Sequence, residues 1–329
     1  MKCTVCREPA VIDLRRHNAN FCVPHLQKFC TDQVARAIEQ FDMFGPADRV
    51  LVAVSGGKDS LAAWDILRTL GYDADGLYIG LGIEAYSDES ASFARRFATD
   101  RGAKLIKIDL PSEYGYDIPG GARAARRTPC SACGLSKRHL FDTAARDGGY
   151  DVVVTGHNLD DEAAVLFGNV LHWQVEYLGR QRPVLPAHDG FPRKAKPLVR
   201  LSERETAAFC IVSGIDYQVE ECPMAKGNRH LGYKDALNTI ELQSPGSKAA
   251  FYFSFQRDAV ERFATEPGAP DPMLRACASC GAPCSSERCA FCRLAERAAA
   301  ATSPHGGAPA DTPVNILDDH VETTTQETK

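Results

Sequence analysis

"RVLVAVSGGKDSLAAWDILRTLG", residues 49–71, decides how this chain folds. It opens with a short apolar, β-branched run and closes with apolar residues at helical spacing, so a buried strand leads into a helix through the turn at 55–60. The two glycines of that turn let backbone amides face an anion. The helix that follows presents its positive N-terminal end, and Lys58 adds a mobile cation. Together these groups cradle phosphate. The G-x-x-x-x-G-K spacing of a Walker loop is absent, so this phosphate loop is of another kind.

Outward from this unit the alternation continues. "ADGLYIGL" (74–81) reads as a second strand, "SFARRFATDRG" (92–102) as a helix and "KLIKIDL" (104–110) as a third strand. "LSKRHLFDTAARDGG" (135–149) is a helix, "YDVVVTG" (150–156) a fourth strand and "DDEAAVLFGNVL" (160–171) a further helix. Strands separated by helical spacers predict an α/β fold, a doubly wound parallel sheet covered on both faces, with ligands at the carboxyl ends of the strands. Past residue 200, Ser202 and Glu205 have capping-box spacing, and the later segments look mostly helical. The tail, 296–329, carries too few apolar residues to fold and is expected to be disordered.

The chain has 329 residues, 25% of them charged, a net charge of −5 and 13 cysteines. No apolar run approaches a bilayer span. "MKCTVC" brings apparent ligands to the start and leaves no room for a signal peptide, so a cytoplasmic location is expected. A reducing compartment turns the cysteines towards metal binding or catalysis rather than disulfides. Cys3, Cys6, Cys22 and His25 have the spacing of one zinc set; Cys277, Cys280, Cys289 and Cys292 make a second. Cys30 and Cys210 sit among apolar residues and read as packing groups, and Cys284 as a bystander inside the second finger. Cys130, Cys133 and Cys222 remain. Their spacing alone leaves open a Cys130/Cys133 redox pair, a persulfide on Cys222, a three-thiolate cluster site or a third zinc lacking its fourth ligand.

"SGGKDS" resembles the pyrophosphatase loop of the PP-loop ATPases, which cleave ATP between the α and β phosphates and adenylate a substrate. "GHNLDDEA" (156–163), "CSACGLSKR" and "EECPMAKG" extend the likeness to the tRNA 2-thiouridine synthetases of the TtuA type, over roughly residues 1–293. The resemblance implies an N-terminal zinc finger at 1–30, a catalytic domain at 31–270 and a second finger at 271–295. It further implies a 4Fe-4S cluster on Cys130, Cys133 and Cys222, and ATP held by Ala53, Ser55, Gly56, Gly57, Lys58, Asp59, Ser60, Gly156, His157 and Asp161. Lys137, Asp161, Lys58 and Ser55 are the implied catalytic groups, with magnesium as a cofactor that Asp160 or Asp161 can bind. The implied reaction adenylates the C2 oxygen of a tRNA uridine and replaces it with sulfur. The implied partners are tRNA, a thiocarboxylated ubiquitin-like sulfur carrier and a second copy of the chain, with no membrane. The T-loop 5-methyluridine is favoured over the wobble uridine. Another PP-loop ATP pyrophosphatase (a cytidine thiolase or an amide-forming enzyme) and a non-catalytic zinc-finger RNA-binding ATP sensor are the alternative readings. Three acid-free basic segments, at 118–141, at 193–200 and after Cys222, are expected to form a phosphate-binding rim.

Overall fold

The computed structural model describes residues 1–225, 229–263 and 273–302. A small hairpin, β1 (Ile12–Leu14) and β2 (Ala19–Phe21), leads into the long helix α1 (Val23–Gln40). Then come β3 (Arg49–Val54), α2 (Lys58–Thr69), β4 (Asp73–Gly80), α3 (Glu84–Arg101) and β5 (Leu105–Asp109). Short helices α4 (Leu110–Tyr114) and α5 (Ile118–Ala124) precede α6 (Pro129–Asp147), β6 (Val152–Thr155) and α7 (Leu159–Leu171). After α8 (Val175–Gly179), β7 (Val184–Leu185) and β8 (Arg193–Ala195), the chain is mostly helical: α9 (Glu203–Val212), α10 (Arg229–Gln243), α11 (Ser247–Asp258) and α12 (Val260–Phe263). A second hairpin, β9 (Arg275–Ala276) with β10 (Pro283–Cys284), ends in α13 (Ala290–Thr302). Residues 296–302, expected with the tail, are therefore helical, and 303–329 lie outside the described residues.

The main sheet has the order β5-β4-β3-β6-β8-β7, parallel except for β7 at one edge. Side chains alternate across it. Val50, Val52 and Val54 of β3 face a core shared with α1, α2, α3 and α9, while Leu51 faces a second core shared with α5, α6 and α13. Residues of the N-terminal hairpin, Ile12, Leu14 and Phe21, belong to the first core. Cys277, Cys289 and Phe291 of the C-terminal segment belong to the second. Strands run outward from β3 through β4 to β5 on one side and through β6 to β8 on the other. The order thus reverses between β3 and β6, the switch point at which sheets of this kind bind ligands, outside the carboxyl ends of the strands.

Two helices start earlier than their apolar spacing predicts. Helix α3 begins at Glu84 rather than near Ser92, and α6 begins at Pro129 rather than near Leu135. The cause at α6 is local: Thr128 caps the helix, its side chain accepting from the Ser131 amide, and Pro129 occupies the first turn, where its missing N–H costs nothing. Cys130 and Cys133 therefore lie in the first two turns of the helix, not in a loop before it.

Candidate active site

The turn after β3 is held by its own side chains. The Ser55 amide donates to Ser60 Oγ at 3.1 Å, and that hydroxyl donates to the Gly57 carbonyl at 2.9 Å. Gly56 has φ +78°, and a Cβ there would lie 2.4 Å from the Ser90 carbonyl oxygen, so only glycine fits. Opposite it, a Cβ on Gly156 would lie 2.7 Å from the Ser60 amide, which lets the turn after β6 press against the phosphate loop.

The two turns are tied by polar groups. Buried Asn158 caps α7 in a reciprocal box with Asp161, and its Nδ2 donates to Asp59 Oδ1 at 3.1 Å. Asp59 also accepts from Thr206 Oγ1 at 2.5 Å. Burial raises the Asp59 carboxyl above its usual range, against the pull of Lys58. Lys58 Nζ lies 3.1 Å from Asp59 and 2.8 Å from Glu203. Burial draws its pKa down, but Asp59 and Glu203 outweigh that and keep the ammonium firmly charged. Lys234 Nζ bridges Asp161 at 2.6 Å and Glu203 at 3.3 Å. An unbroken chain, Asp59–Lys58–Glu203–Lys234–Asp161, thus links the two motifs. Asn158, Glu203, Thr206 and Lys234 were not singled out from the sequence; the partners of Glu203 and Thr206 lie about 145 residues away along the chain.

Asp160 is not available to a metal. It is 4% exposed, forms a buried ion pair with Lys248 and accepts from the Glu203 amide at 2.9 Å, which corrects the expectation that it binds magnesium. His157 is exposed, and its Nδ1 lies 2.8 Å from Thr155 Oγ1. Desolvation by the surrounding protein, then Lys196, holds its imidazole below the usual pKa, so it is neutral near pH 7.

Beside the loop lies a cleft of about 440 Å³, open to solvent and lined by Ala53, Ser55, Ile79, Tyr86, Lys137 and Phe141 among others. Lys137 reaches it from α6, four residues beyond Cys133 and so on the same helix face. Burial pushes the Cys133 thiol up; Lys137 opposes this, and Cys222 and Cys130 are close enough to act on it. Tyr86 is raised to about 12 by burial and then by Cys222. Cys130 Sγ approaches the Met224 carbonyl at 3.6 Å, so the segment bearing Cys222 crosses the start of α6. Cys133 and Cys222 thus adjoin the cleft at Tyr86, Cys133 also at Lys137, and Cys130 is close to Cys133.

The two zinc sets close fully. Cys3, Cys6, Cys22 and His25, and likewise Cys277, Cys280, Cys289 and Cys292, bring their ligand atoms within 4.8 Å of one another. Tetrahedral zinc with Zn–S bonds of about 2.3 Å requires sulfurs about 3.8 Å apart. The Cys277–Cys292 and Cys280–Cys289 separations are 3.8 and 3.7 Å, so the residues fit the ion. Cys130, Cys133 and Cys222 are not among the groups that close to single-ion spacing. Cys30 and Cys210 are wholly buried, Cys210 donating to the Lys58 carbonyl, and Cys284 donates to the Ser286 carbonyl.

Basic charge divides. Arg123, Arg126, Arg127 and Arg138 are exposed around Cys130, with no carboxylate partner among the described residues. The segment 193–200 departs from expectation: Lys194 pairs with Asp142 and Lys196 with buried Glu162, both at 2.8 Å, so these cations serve the fold rather than a rim. After Cys222, Lys234 is likewise paired, and 226–228 lie outside the described residues.

A parallel sheet with this Gly-Gly-Lys-Asp loop at its switch point, and a second acidic motif docked on it, defines a PP-loop ATPase. Within that class, a profile for the N-terminal LIM domain of 2-thiouridine synthetase TtuA matches residues 2–27. The tRNA-5-methyluridine(54) 2-sulfurtransferase of Thermus thermophilus is 46% identical, over 89% of this chain and 91% of its own. Its Pyrococcus horikoshii counterpart is 40% identical, over 89% and 93%. The chain belongs to this family of tRNA-thiolating enzymes. Its fold is that of the U34-tRNA thiolase NcsA from Methanococcus maripaludis, solved with its [4Fe-4S] cluster (TM-score 0.75, 23% identity, covering 90% of this chain and 96% of that one). No helix among the described residues is long and apolar enough to cross a membrane.

Proposed function

We propose that this chain replaces the C2 oxygen of the T-loop 5-methyluridine of tRNA with sulfur, using ATP and a 4Fe-4S cluster on Cys130, Cys133 and Cys222. One observation carries the reading: a single cleft is lined by Ser55 of the phosphate loop, by Lys137 and by Tyr86, and Cys222 and Cys133 lie near enough to Tyr86 to act on its hydroxyl. The choice of uridine rests on the names of the relatives at 46% and 40% identity.

A uracil carbonyl is a poor electrophile with an oxide leaving group, so its oxygen must first be activated. In this reading O2 attacks the α phosphorus, pyrophosphate departs, and sulfur then displaces AMP at C2, carrying the old oxygen away. Ala53, Gly56, Gly57, Asp59, Ser60, Gly156 and His157 hold the nucleotide around Ser55. Lys58 meets charge developing on the departing phosphates, and Asp161, beside Lys234, accompanies magnesium or orients the reacting groups. Neutral His157 offers a hydrogen bond rather than a charge. Lys137 stands where sulfur and nucleotide meet.

The thiols suit the cluster. All ten other cysteines are accounted for by the two fingers, by burial or by a backbone partner, so no fourth thiolate completes the set. Bound by three thiolates, such a cluster supplies an iron without a protein ligand, at which inorganic sulfide can be held. Two zinc ions crosslink the fingers. The unpaired arginines around Cys130 suit a phosphate backbone, whose binding would weaken as salt rises. By the family resemblance, the sulfur donor is a thiocarboxylated ubiquitin-like protein, the working unit a homodimer and the compartment the cytoplasm.

The test is anaerobic turnover with tRNA, ATP and sulfide. AMP, pyrophosphate and a 2-thiolated nucleoside should accumulate in equal amounts. Binding of tRNA and ATP with neither AMP nor thiolation would instead support the ATP-sensor reading.

A further inference from the structure

Cys222 lies on an irregular segment, and something must hold that segment in register with the nucleotide loop. Gln218, four residues earlier, does so. Its backbone amide donates to the Gly56 carbonyl at 3.0 Å, and its side-chain Nε2 donates to the Tyr86 carbonyl at 3.2 Å. Gly56 is the left-handed glycine of the phosphate loop, and Tyr86 lines the cleft beside Cys133 and Cys222. One residue therefore grips the nucleotide loop by its main chain and the cleft wall by its side chain. It is only 7% exposed, so neither bond competes with bulk water.

Its side-chain oxygen stands alone: Oε1 is buried and has no hydrogen-bond partner among the described residues. Flipping the amide gives no relief, because it would set Oε1 against the Tyr86 carbonyl, acceptor against acceptor. A buried acceptor without a protein partner is costly, and a glutamine that bears this on one atom while bridging two functional walls fits a positioning role better than filler.

Resting on the function proposed above, we infer that Gln218 is a positioning residue that couples the phosphate loop to Cys222, so that nucleotide binding at Gly56 alters the surroundings of the cluster. Through this strap a nucleotide that settles against the loop shifts the Cys222 segment without touching it. The two halves of the reaction are thereby kept in step.

The experiment uses the anaerobically reconstituted full chain and its Gln218→Met variant, which preserves side-chain length and leaves the main-chain bond to Gly56. Iron content, the electron paramagnetic resonance spectrum of the reduced cluster with and without a non-hydrolysable ATP analogue, and analogue affinity by calorimetry are measured. In the wild type the analogue should bind and shift the spectrum. In the variant iron content should be unchanged, and because the strap loses its anchor on the cleft wall while keeping its main-chain bond, the shift should shrink and affinity should fall up to about tenfold. Gln218→Glu, which cannot donate to the Tyr86 carbonyl, should behave like the methionine variant. A full shift with wild-type affinity in Gln218→Met would overturn the inference. So would loss of iron in that variant, which would make Gln218 a support for Cys222 alone. A wild-type chain that takes up no iron or binds no analogue would fail at the proposed function, a different and earlier failure.

Discussion

The two fingers have similar ligand sets but buttress opposite faces of the sheet. The N-terminal finger works behind the nucleotide. From the turn after β1, Arg16 forms a buried bidentate pair with Glu205 and donates to the Arg200 carbonyl, 2.8 Å away. Glu205 closes the capping box of α9, and the same first turn presents Glu203 to Lys58 and Thr206 to Asp59. The C-terminal finger works behind the thiols. Phe291, next but one after ligand Cys289, stacks on His139 of α6 at 4.1 Å and meets Tyr114 edge-on at 5.2 Å. Helix α13 packs on α5 and α6, and α6 carries Cys130, Cys133 and Lys137. Similar metal chemistry, attached to different helices, supports different halves of one cleft.

Removing one ligand from each finger should separate those halves, and this is the largest effect expected, because a structural zinc contributes about 10–16 kcal/mol of apparent binding energy. Cys22→Ser should lose one zinc and most ATP affinity while retaining iron. Cys289→Ser should lose one zinc and most iron while retaining ATP affinity. Metal analysis with calorimetry reads both, and an identical pattern in the two variants would break the comparison.

The contacts between finger and core should show a smaller version of the same split. Arg16→Ala strips the buried Glu205 carboxylate of its guanidinium partner, leaving it only His17 and the Ser202 amide, and should cost about 3–5 kcal/mol in denaturant unfolding. Phe291→Ala empties a core position and should also cost about 3–5 kcal/mol. Of the two, only Arg16→Ala should raise the KM for ATP. An equal rise in both would mean that the measurements report general loosening of the fold.

The smallest effect concerns pH. Burial alone would raise the Glu205 carboxyl, but the His17 ring 3.4 Å away and the charge and hydrogen bonds of Arg16 bring it from an ordinary 4.5 down to about 2. A depressed carboxylate stabilises the fold above its unfolded pKa and loses that contribution as pH falls towards the folded one. Acid titration from about pH 4.5 to 2 should therefore cost the wild type on the order of 3 kcal/mol from this group. Glu205→Gln, already weakened at neutral pH, should lack that component. A wild-type slope no steeper than the variant's in that window would remove Glu205 as the link between finger and α9.

What the sequence disclosed was local. The phosphate loop, the capping box at Ser202 and Glu205 and the two zinc sets are short-range patterns whose chemistry is set within a few residues, and the alternation of strand and helix implied the sheet. What it hid was long-range. Nothing near Glu203 signals Lys58, and nothing near Gln218 signals Gly56, because those contacts arise only when remote segments fold together. The cations of 193–200 misled for the same reason: their carboxylate partners lie on α6 and α7. The start of α6 is a different case. Thr128-Pro129 is a legible cap signal, masked by apolar spacing that begins several residues later.

Between the two closed sites stand three thiols beside a nucleotide cleft, and metal counting after anaerobic reconstitution tests that arrangement most directly. The wild type should hold about four irons and two zincs per chain, and Cys222→Ala should keep both zincs, bind ATP and lose the iron. Four irons retained in Cys222→Ala would contradict the account.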